Sequence, residues 1–241
     1  MQQIVGAAFT DETDHALANL VDEIEWMRVG QLARLLSCFR RIGVTHAMMA
    51  GQIAPKNLFD LRPDWKALLL LARLKRRNAE TIFGAIADEL KAAGIELLPA
   101  TTFLEEMLAQ PGLIAGRQLT RSQLRDVDFG FEIAKEMSRL DVGQTVVVRN
   151  GTVLAVEAFE GTNESIRRGG ALARKDAVVV KVAKPNQDMR FDVPVIGLET
   201  IRVAAEANVR VLAVEAGRTL LLEKDAVIAA AERANLSIVA R

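Results

Sequence analysis

The first hundred residues alternate short apolar segments with amphipathic helical segments, and this order constrains the fold more than any other feature. Residues 3–9, 45–50 and 95–98 have the length and composition of buried strands. Residues 29–42 and 79–93 repeat apolar side chains at the helical period, and a glycine follows each of them. Strands that alternate with helices in this way form an open, mostly parallel sheet. We therefore predict an α/β fold.

The second half of the chain has a different pattern, in which strands dominate. Residues 110–120 include one proline and two glycines and match neither period, so we predict a linker there. The linker separates a domain at 1–115 from a mixed α/β domain at 121–241. In the latter, Asn150-Gly151 predicts a two-residue hairpin, because both positions tolerate a positive φ. The other predicted elements of this domain are helices at 122–140, 197–207 and 224–235 and strands at 145–149, 152–159, 177–183, 209–215, 219–222 and 237–240.

The composition excludes several classes of protein and of site. Lysine and arginine total 31, and aspartate and glutamate also total 31, so no net field attracts nucleic acid. The single cysteine, Cys38, excludes a disulfide framework, and two histidines exclude a histidine-rich metal centre. Carboxylate oxygens remain as the natural ligands for a hard cation such as Mg²⁺.

No segment has the length of a membrane span. The longest unbroken apolar run, 67–72, is far shorter than the roughly 20 residues that cross a bilayer. Residues 1–4 do not resemble a signal peptide, so we predict a cytoplasmic protein. The helix around this run, 65–77, ends in basic residues and is typical of a core helix with a cationic end. Peripheral contact with the inner membrane is the open alternative for this helix.

The most informative segment for chemistry is 184–194, which we call the acidic loop. Its polar and apolar residues alternate from Asp188 onward, so Asp188, Arg190 and Asp192 would share one face of an extended chain. Two carboxylates at this spacing can hold Mg²⁺ or orient water, and an arginine between them can neutralise phosphate oxygens. The alternative is an ordinary half-exposed strand whose charges pair with one another.

A second segment combines a strand end, a turn and a helix start. Gly161 permits a tight turn, and Thr162 or Asn163 can cap a helix whose free N–H groups suit a phosphate. Arg168, more than one helical turn later, can add positive charge. Structural capping alone is the alternative interpretation of this segment.

Further polar residues lie where predicted strands begin or end. Lys181 and Lys184 leave a strand just before the acidic loop, where they can contact phosphate or face solvent. Asp141 is either a third carboxylate at the same sheet edge or a turn residue. In the first half, Gly51-Gln52 follows a strand at the kind of exit where open α/β sheets bind ligands.

Several short motifs follow one another along the chain. In the first half they are Arg28-Val-Gly-Gln-Leu, Ala50-Gly-Gln and Asp60-Leu-Arg-Pro-Asp64. In the second half they are Asp141-Val-Gly-Gln, Leu154-Ala-Val-Glu-Ala, Glu160-Gly-Thr, Arg167-Arg168, Lys184-Pro, Gln187-Asp-Met-Arg-Phe-Asp-Val-Pro and Ile196-Gly. Together they resemble the LpxI family of UDP-2,3-diacylglucosamine pyrophosphatases. The resemblance favours a functional acidic loop over an ordinary strand.

The resemblance implies a Rossmann-like first domain, a second α/β domain and a substrate held between them. It also implies Mg²⁺-dependent attack of water on the pyrophosphate of UDP-2,3-diacylglucosamine, which releases UMP and 2,3-diacylglucosamine 1-phosphate (lipid X) for lipid A biosynthesis. On this chain Asp188 and Asp192 match the family's catalytic loop, and they are the predicted catalytic residues and metal ligands. The residues predicted to bind this nucleotide-activated acylated sugar are Gly51, Gln52, Glu160, Gly161, Thr162, Asn163, Arg168, Lys181, Lys184, Gln187 and Arg190.

Two departures from the family pattern accompany the resemblance. Asn163 stands where the family has the aspartate of Glu-Gly-Thr-Asp, and an amide cannot act as a base. The Gly-x-Gly-x-x-Pro unit with which family members open is not in this sequence, so we predict an N-terminally incomplete Rossmann-like domain. The alternative functions are a module that binds a nucleotide-sugar or acyl-sugar without cleaving it and a glycosyltransferase that uses the same donor. A homodimer is an open alternative for the assembly.

Overall fold

The computed structural model describes residues 3–51, 63–75 and 78–241, and the chain forms two compact units, Met1–Ala100 and Thr101–Arg241. Both units contain helices and strands, which confirms the predicted mixed α/β class. Within the described ranges, no helix is long and apolar enough to cross a membrane.

The first unit contains, in its described part, two pairs of short strands and three α-helices. Its strands are β1 (Val5–Phe9), β2 (Glu23–Met27), β3 (His46–Met48) and β4 (Glu96–Leu98), and its helices are α1 (Leu32–Ile42), α2 (Trp65–Arg73) and α3 (Ala79–Ala92). Strand β1 pairs with β2 and β3 pairs with β4, and both pairs have the predicted parallel direction. Among the described residues they form two separate pairs instead of the single open sheet that was predicted, and the strand at 23–27 was not predicted.

One carboxylate organises the starts of two helices in this unit. Asp64 is the N-cap of α2, where its Oδ1 accepts a hydrogen bond from Ala67 N at 2.9 Å. Its Oδ2 accepts another from Ala33 N, in the first turn of α1, at 2.6 Å. Because helix starts carry unsatisfied N–H groups, this side chain stabilises both helices and joins them.

The second unit is built on a six-stranded mixed sheet. Its elements are β5 (Gly112–Ala115), α4 (Arg121–Arg139), β6 (Thr145–Arg149), β7 (Thr152–Val156), α5 (Thr162–Ala173), β8 (Ala177–Lys181), β9 (Val195–Ile196), α6 (Leu198–Glu206), β10 (Val209–Val214), β11 (Leu220–Leu221), α7 (Lys224–Arg233) and β12 (Ser237–Ala240). The sheet order is β5-β12-β10-β8-β6-β7, and β9 and β11 form a separate parallel pair. Strands β7, β8, β10 and β12 end, and β6 begins, at one edge of the sheet, which we call the site edge.

The stretch predicted as a linker, 110–120, carries the edge strand β5. This strand pairs antiparallel with β12, with Leu113 opposite Val239 and Ala115 opposite Ile238. Directly after it, a Cβ on Gly116 would lie 2.7 Å from Leu236 O, so only glycine fits this close approach of two backbones. The linker prediction is therefore wrong over residues 112–115, where the proline and glycines flank a strand of the second unit.

The predicted hairpin at Asn150-Gly151 joins β6 to β7. Both residues have a positive φ, +49° and +70°, as the turn requires. The buried Asp126 carboxylate, on α4, accepts hydrogen bonds from the N–H groups of Asn150 and Gly151 at 2.8 and 2.7 Å. This contact holds α4 at the end of the sheet opposite the site edge.

Helices cover both faces of the sheet at its centre. Strands β6 and β8 are rich in valine, and these valines are fully buried, as expected of strands covered on both sides. On one face, a Cβ at Gly130 of α4 would lie 2.5 Å from Val180 Cγ2. On the other, a Cβ at Gly169 of α5 would lie 2.5 Å from Val147 Cβ. Such close packing of α5 places its first turn at the site edge.

Candidate active site

Polar and charged residues from four strands meet at the site edge. Gln144 and Thr145 lie at the start of β6, Glu157 follows β7, Lys181 ends β8, and Glu215 follows β10. The side chains of Thr145, Glu157 and Lys181 are buried. Open α/β sheets bind ligands at the carboxyl ends of their strands, which makes this edge the candidate active site.

Lys181 lies inside this site, and only 7% of its surface is exposed. Its Nζ donates hydrogen bonds to Thr162 Oγ1 and to Val195 O, both at 3.1 Å. Burial lowers the pKa of Lys181, whereas the charges of Glu157 and Asp192 act in the opposite direction. The sequence left open whether Lys181 faces solvent or lies at the sheet edge. In the structure it lies at the sheet edge.

The first turn of α5 begins directly beside Lys181. Gly161, with φ +85°, is the N-cap, and among the described residues no side chain caps this helix. The predicted capping by Thr162 or Asn163 is therefore wrong, because the Thr162 hydroxyl instead donates to Glu157 Oε1 at 3.0 Å. A helix start without a side-chain cap offers its N–H groups to an anion.

Glu160 and Arg168 form an ion pair that flanks this helix start. Arg168 Nη2 donates to Glu160 Oε1 at 2.6 Å and to Val156 O at 2.7 Å. The backbone N–H of Glu160 itself, followed by the Arg168 guanidinium, lowers the pKa of Glu160. With Glu164 and Arg167, the pair lines a shallow cavity of about 730 Å³. Both predicted residues thus lie next to the site, where they contact each other.

The acidic loop folds as a series of turns. Asp188 O accepts hydrogen bonds from Phe191 N at 3.2 Å and from Asp192 N at 3.0 Å, which closes one helix-like turn. The expectation that Asp188, Arg190 and Asp192 share one face of an extended chain is therefore wrong. The polar and apolar residues alternate, but the backbone between them is not extended.

Asp188 and Arg190 bind each other within the loop. Arg190 Nε lies 2.9 Å from Asp188 Oδ1, and Arg190 Nη2 lies 2.6 Å from Asp188 Oδ2, so the contact is bidentate. The hydrogen bond from Arg190 lowers the pKa of Asp188. Both oxygens of this carboxylate are therefore occupied by arginine.

Asp192 lies instead close to the two lysines of the site. Burial raises the pKa of Asp192, while the charges of Lys184 and then Lys181 oppose that shift. The Asp141 carboxylate acts in the same direction as burial. A carboxyl group with a raised pKa beside specific charge partners is typical of functional sites. The structure therefore distinguishes two aspartates that the sequence could not separate.

Lys184 connects the acidic loop to the start of β6. Its Nζ pairs with Asp141, and its backbone N–H donates to Gln187 Oε1 at 2.5 Å. Asp141 has φ +59°, so it is both a turn residue and a third carboxylate at the edge. Gln187 is 7% exposed. Its Nε2 lies near Asp192 and lowers the pKa of that carboxyl group. Among the described residues, however, this nitrogen has no partner at the distance and angle of a hydrogen bond. A bound oxyanion would satisfy such a buried donor.

Two residues that sequence reasoning missed hold the start of the acidic loop. Glu215 Oε2 accepts hydrogen bonds from Ala183 N at 2.8 Å and from Lys135 Nζ at 2.6 Å. Lys135 Nζ also donates to Ala183 O at 2.9 Å, so both backbone groups of Ala183 are engaged by side chains. The available signal was that Glu215 directly follows a buried strand. Glu157, which was also missed, has the same kind of position.

Two residues of the first unit, Gly51 and Gln52, were also predicted to bind substrate. Gly51 is exposed and has φ +89° at the end of the described segment 3–51. Gln52 lies outside the described residues. The substrate-binding role assigned to both stays a prediction.

Known proteins resemble this chain along most of its length. A family model described as the LpxI N-terminal domain matches residues 1–107, and one described as the LpxI C-terminal domain matches residues 110–239. The UDP-2,3-diacylglucosamine pyrophosphatase LpxI of Caulobacter vibrioides is 32% identical over 222 residues, which cover 88% of this chain and 79% of the relative. These matches confirm the resemblance read from the motifs. The chain belongs to the LpxI family.

Proposed function

We propose that the protein hydrolyses the pyrophosphate of UDP-2,3-diacylglucosamine to UMP and 2,3-diacylglucosamine 1-phosphate, as a step of lipid A biosynthesis. The observation that carries the proposal is the Asp192 carboxyl beside Lys181 and Lys184, in a chain whose Caulobacter relative has this activity in its name. The reaction requires a group that orients and deprotonates water and cations that neutralise phosphate oxygens, and this cluster supplies both.

The chemistry is a phosphoryl transfer to water. The water oxygen bonds to one phosphorus, the bond from that phosphorus to the bridging oxygen breaks, and the proton released by water goes to Asp192. The raised pKa of Asp192 makes it a stronger base than an exposed carboxylate. Lys181, Lys184 and the N–H groups at the start of α5 neutralise the phosphoryl oxygens, where preorganised charge has its largest effect.

Other residues of the site bind and orient the substrate in this proposal. The buried Gln187 Nε2 carries two N–H groups, and one of them, not directed at Asp192, donates to a phosphoryl oxygen. Asp188 orients the Arg190 guanidinium toward the phosphates through their bidentate contact. Glu160 and Arg168 contact the sugar or phosphate beside the α5 start, with Gly161 and Asn163 in the same turn.

Mg²⁺ fits this donor set if the substrate supplies part of its coordination. The described residues contain no group of three or more His, Cys, Asp or Glu side chains that could hold a metal ion. Mg²⁺ in nucleotide sites is commonly held by one or two carboxylates together with waters and phosphate oxygens. Asp141 lies close enough to Asp192 to raise its pKa, so we propose that Asp141 ligates the ion beside Asp192, while Asp192 acts on the attacking water. When bound, the ion neutralises phosphate charge. Ligation by Asp188 and by Asp192 stays a prediction: for Asp188 it requires Arg190 to move, and for Asp192 it would compete with the role of base.

Removal of divalent cations is expected to lower the rate of hydrolysis by about a hundredfold or more, because the charge on the pyrophosphate is then less neutralised. UMP release is measured after chelation with EDTA and again after Mg²⁺ is restored. Asp141→Asn should need a higher Mg²⁺ concentration for half-maximal activity. Full activity in EDTA, with an unchanged Mg²⁺ requirement in Asp141→Asn, would contradict metal binding at this site.

The proposed reaction is tested directly by the identity of the released nucleotide. Purified protein is incubated with UDP-2,3-diacylglucosamine and Mg²⁺, and the products are separated by chromatography. Hydrolysis of the pyrophosphate gives UMP, whereas a glycosyltransferase gives UDP and only when an acceptor sugar is added. A binding module retains the substrate and releases neither nucleotide. UMP release that depends on Asp192 supports our proposal, and either of the other results contradicts it.

We propose further that α2 contacts the cytoplasmic surface of the inner membrane, into which the acyl chains of such a substrate partition. Trp65, Leu68 and Leu69 are 66%, 54% and 50% exposed, and their spacing places them on one face of the helix. The exposed cations Arg73 and Lys75 follow this apolar face. An apolar stripe next to cations is the pattern of helices that bind anionic bilayers.

Tryptophan fluorescence tests this contact without any measurement of activity. Trp26→Phe leaves Trp65 as the single tryptophan, and its emission should shift to shorter wavelength with phosphatidylglycerol vesicles. High salt should weaken the shift, Leu68→Glu should abolish it, and Leu172→Glu on α5 is the control. The contact is contradicted if vesicles cause no shift, or if the shift instead follows protein concentration without vesicles because a homodimer covers this face.

A further inference from the structure

Glu157 is a buried carboxylate at the site edge, and it has no role in the hydrolysis proposed for this site. Glu157 is 8% exposed, and its Oε1 accepts a hydrogen bond from Thr162 Oγ1 at 3.0 Å. Its Oε2 lies 3.4 Å from Gln144 N, and its own backbone N–H donates to Thr145 O at 2.8 Å. No lysine or arginine among the described residues forms an ion pair with Glu157. A buried carboxylate is costly without a nearby positive charge, and Lys181 supplies that charge. It acts on Glu157 through space, and a hydroxyl group is also an intermediary between the two side chains.

The intermediary is the Thr162 hydroxyl, and the direction of each hydrogen bond follows from the groups themselves. The Lys181 ammonium can only donate, so Thr162 Oγ1 accepts its hydrogen at 3.1 Å. An ionised Glu157 can only accept, so the single hydroxyl hydrogen of Thr162 points to Glu157. The chain Lys181–Thr162–Glu157 therefore has one orientation, with a charge at each end, and such chains polarise their members cooperatively.

We infer that Glu157 is a positioning residue for the reaction proposed above: through Thr162 it holds the Lys181 ammonium and the start of α5 in one arrangement toward the phosphates. Lys181 has three hydrogens, and described residues accept two of them, at Thr162 Oγ1 and Val195 O. The third is directed to substrate in this inference. Without the Glu157 charge, the Thr162 hydroxyl can turn away and Lys181 loses its orientation.

The chain offers a matched buried carboxylate for comparison. Asp126 is 5% exposed and, like Glu157, accepts hydrogen bonds on both oxygens. Its partners are the N–H groups of Asn150 and Gly151, at the opposite end of the sheet. Removal of either charge perturbs a buried network, but only Glu157 is linked to Lys181. A purely structural role predicts the same consequences for both variants.

The inference is tested by kcat, KM and Tm of four variants. Glu157→Gln keeps an acceptor oxygen but loses the charge, and we expect kcat to fall by about 10- to 100-fold with KM within about threefold of wild type. Thr162→Val should match this loss, and Thr162→Ser, which keeps the hydroxyl, should keep kcat within about threefold. Asp126→Asn should lower Tm and leave kcat within about twofold. Wild-type kcat in Glu157→Gln, or an equal loss of kcat in Asp126→Asn, would overturn the inference.

A cycle of Tm measurements separates this inference from the proposed function, on which it rests. Lys181→Met removes the other charge of the chain, and we compare the Tm loss of Glu157→Gln, Lys181→Met and the double variant. Because the two charges are coupled through Thr162, the double variant should lose clearly less than the sum of the single losses. Additive losses would overturn the coupling even in an active enzyme. Coupled losses in a protein that releases no UMP would overturn only the proposed function.

Discussion

Replacement of Asp192 by asparagine is expected to lower kcat for UMP release by about 10²–10⁴-fold, the range attributed to a positioned general base. The amide keeps the shape of the carboxyl but cannot accept the proton of the attacking water. The raised pKa caused by burial identifies this group as the stronger base of the two acidic-loop aspartates. The rate is measured at saturating substrate and Mg²⁺. A kcat within about threefold of wild type would exclude Asp192 from the chemical step.

The same variant should be at least as stable as the wild type at neutral pH. The pKa of Asp192 is higher in the folded protein than in the unfolded chain. The protonated group therefore stabilises the fold at a pH below the ordinary carboxyl pKa. This stabilisation is lost as the pH rises through the raised pKa. At neutral pH the ionised carboxylate therefore costs stability, and asparagine removes that cost. Thermal unfolding checks this result, and a large fall in Tm would mean that lost activity reflects lost structure.

Asp188→Asn is the matched control and should behave in the opposite way. Arg190 holds the pKa of Asp188 below its usual value, so the stability from this pair is present above the ordinary carboxyl pKa and lost as the pH falls through the lowered one. The variant should therefore be less stable than wild type at neutral pH. Its loss of kcat should be smaller than that of Asp192→Asn, because it retains the base.

Gly170→Ala is expected to destabilise the second unit by about 1–3 kcal/mol, the cost of overpacking a close helix contact. A Cβ at this position of α5 would lie 2.4 Å from Ala207 O and 2.6 Å from Ala207 Cβ, at the end of α6. A backbone carbonyl cannot rotate away as a side chain can, so one of the two helices must shift. Because α5 begins at the active site, kcat should fall together with Tm.

The control for this prediction is the next residue of the same helix. Ala171 is exposed, so Ala171→Leu adds a larger side chain toward solvent and should change the free energy of unfolding by no more than about 0.5 kcal/mol. Chemical denaturation followed by circular dichroism measures both variants. Equal stability of Gly170→Ala and wild type would show that α5 and α6 can separate at this contact without cost.

The parts of the fold that depend on neighbouring residues were predictable from the sequence. The Asn150-Gly151 hairpin and the ends of the first-half helices at Gly43 and Gly94 follow from local backbone preferences. Strand β5 was missed because its partner, β12, lies at the far end of the chain, and no local signal distinguishes an edge strand from a linker. The periodicity of a sequence reports on one segment at a time, whereas the pairing of two strands also depends on a second segment elsewhere in the chain.

The sequence indicated many of the residues of the candidate site, but it did not indicate which of them contact one another. The alternation at Asp188 to Asp192 indicated an extended chain, yet the bond from Asp192 N to Asp188 O forms a turn that periodicity cannot reveal. For the same reason the sequence could not show that Arg190 makes a bidentate contact with Asp188. Glu215 belongs to none of the quoted motifs, and Glu157 lies in Leu154-Ala-Val-Glu-Ala without any role assigned to it. The direction of the strands brings both of them beside Lys181.

The contacts of Ala183 have a consequence for protein engineering. Glu215 and Lys135 bind its backbone N–H and C=O, so the point where the acidic loop leaves the sheet does not depend on the loop's own sequence. At its far end the loop enters β9, whose pairing with β11 is also made by backbone groups. Residues 184–194 can therefore be treated as an exchangeable cassette, and loops of other family members can be grafted between these two anchors to alter the choice of substrate.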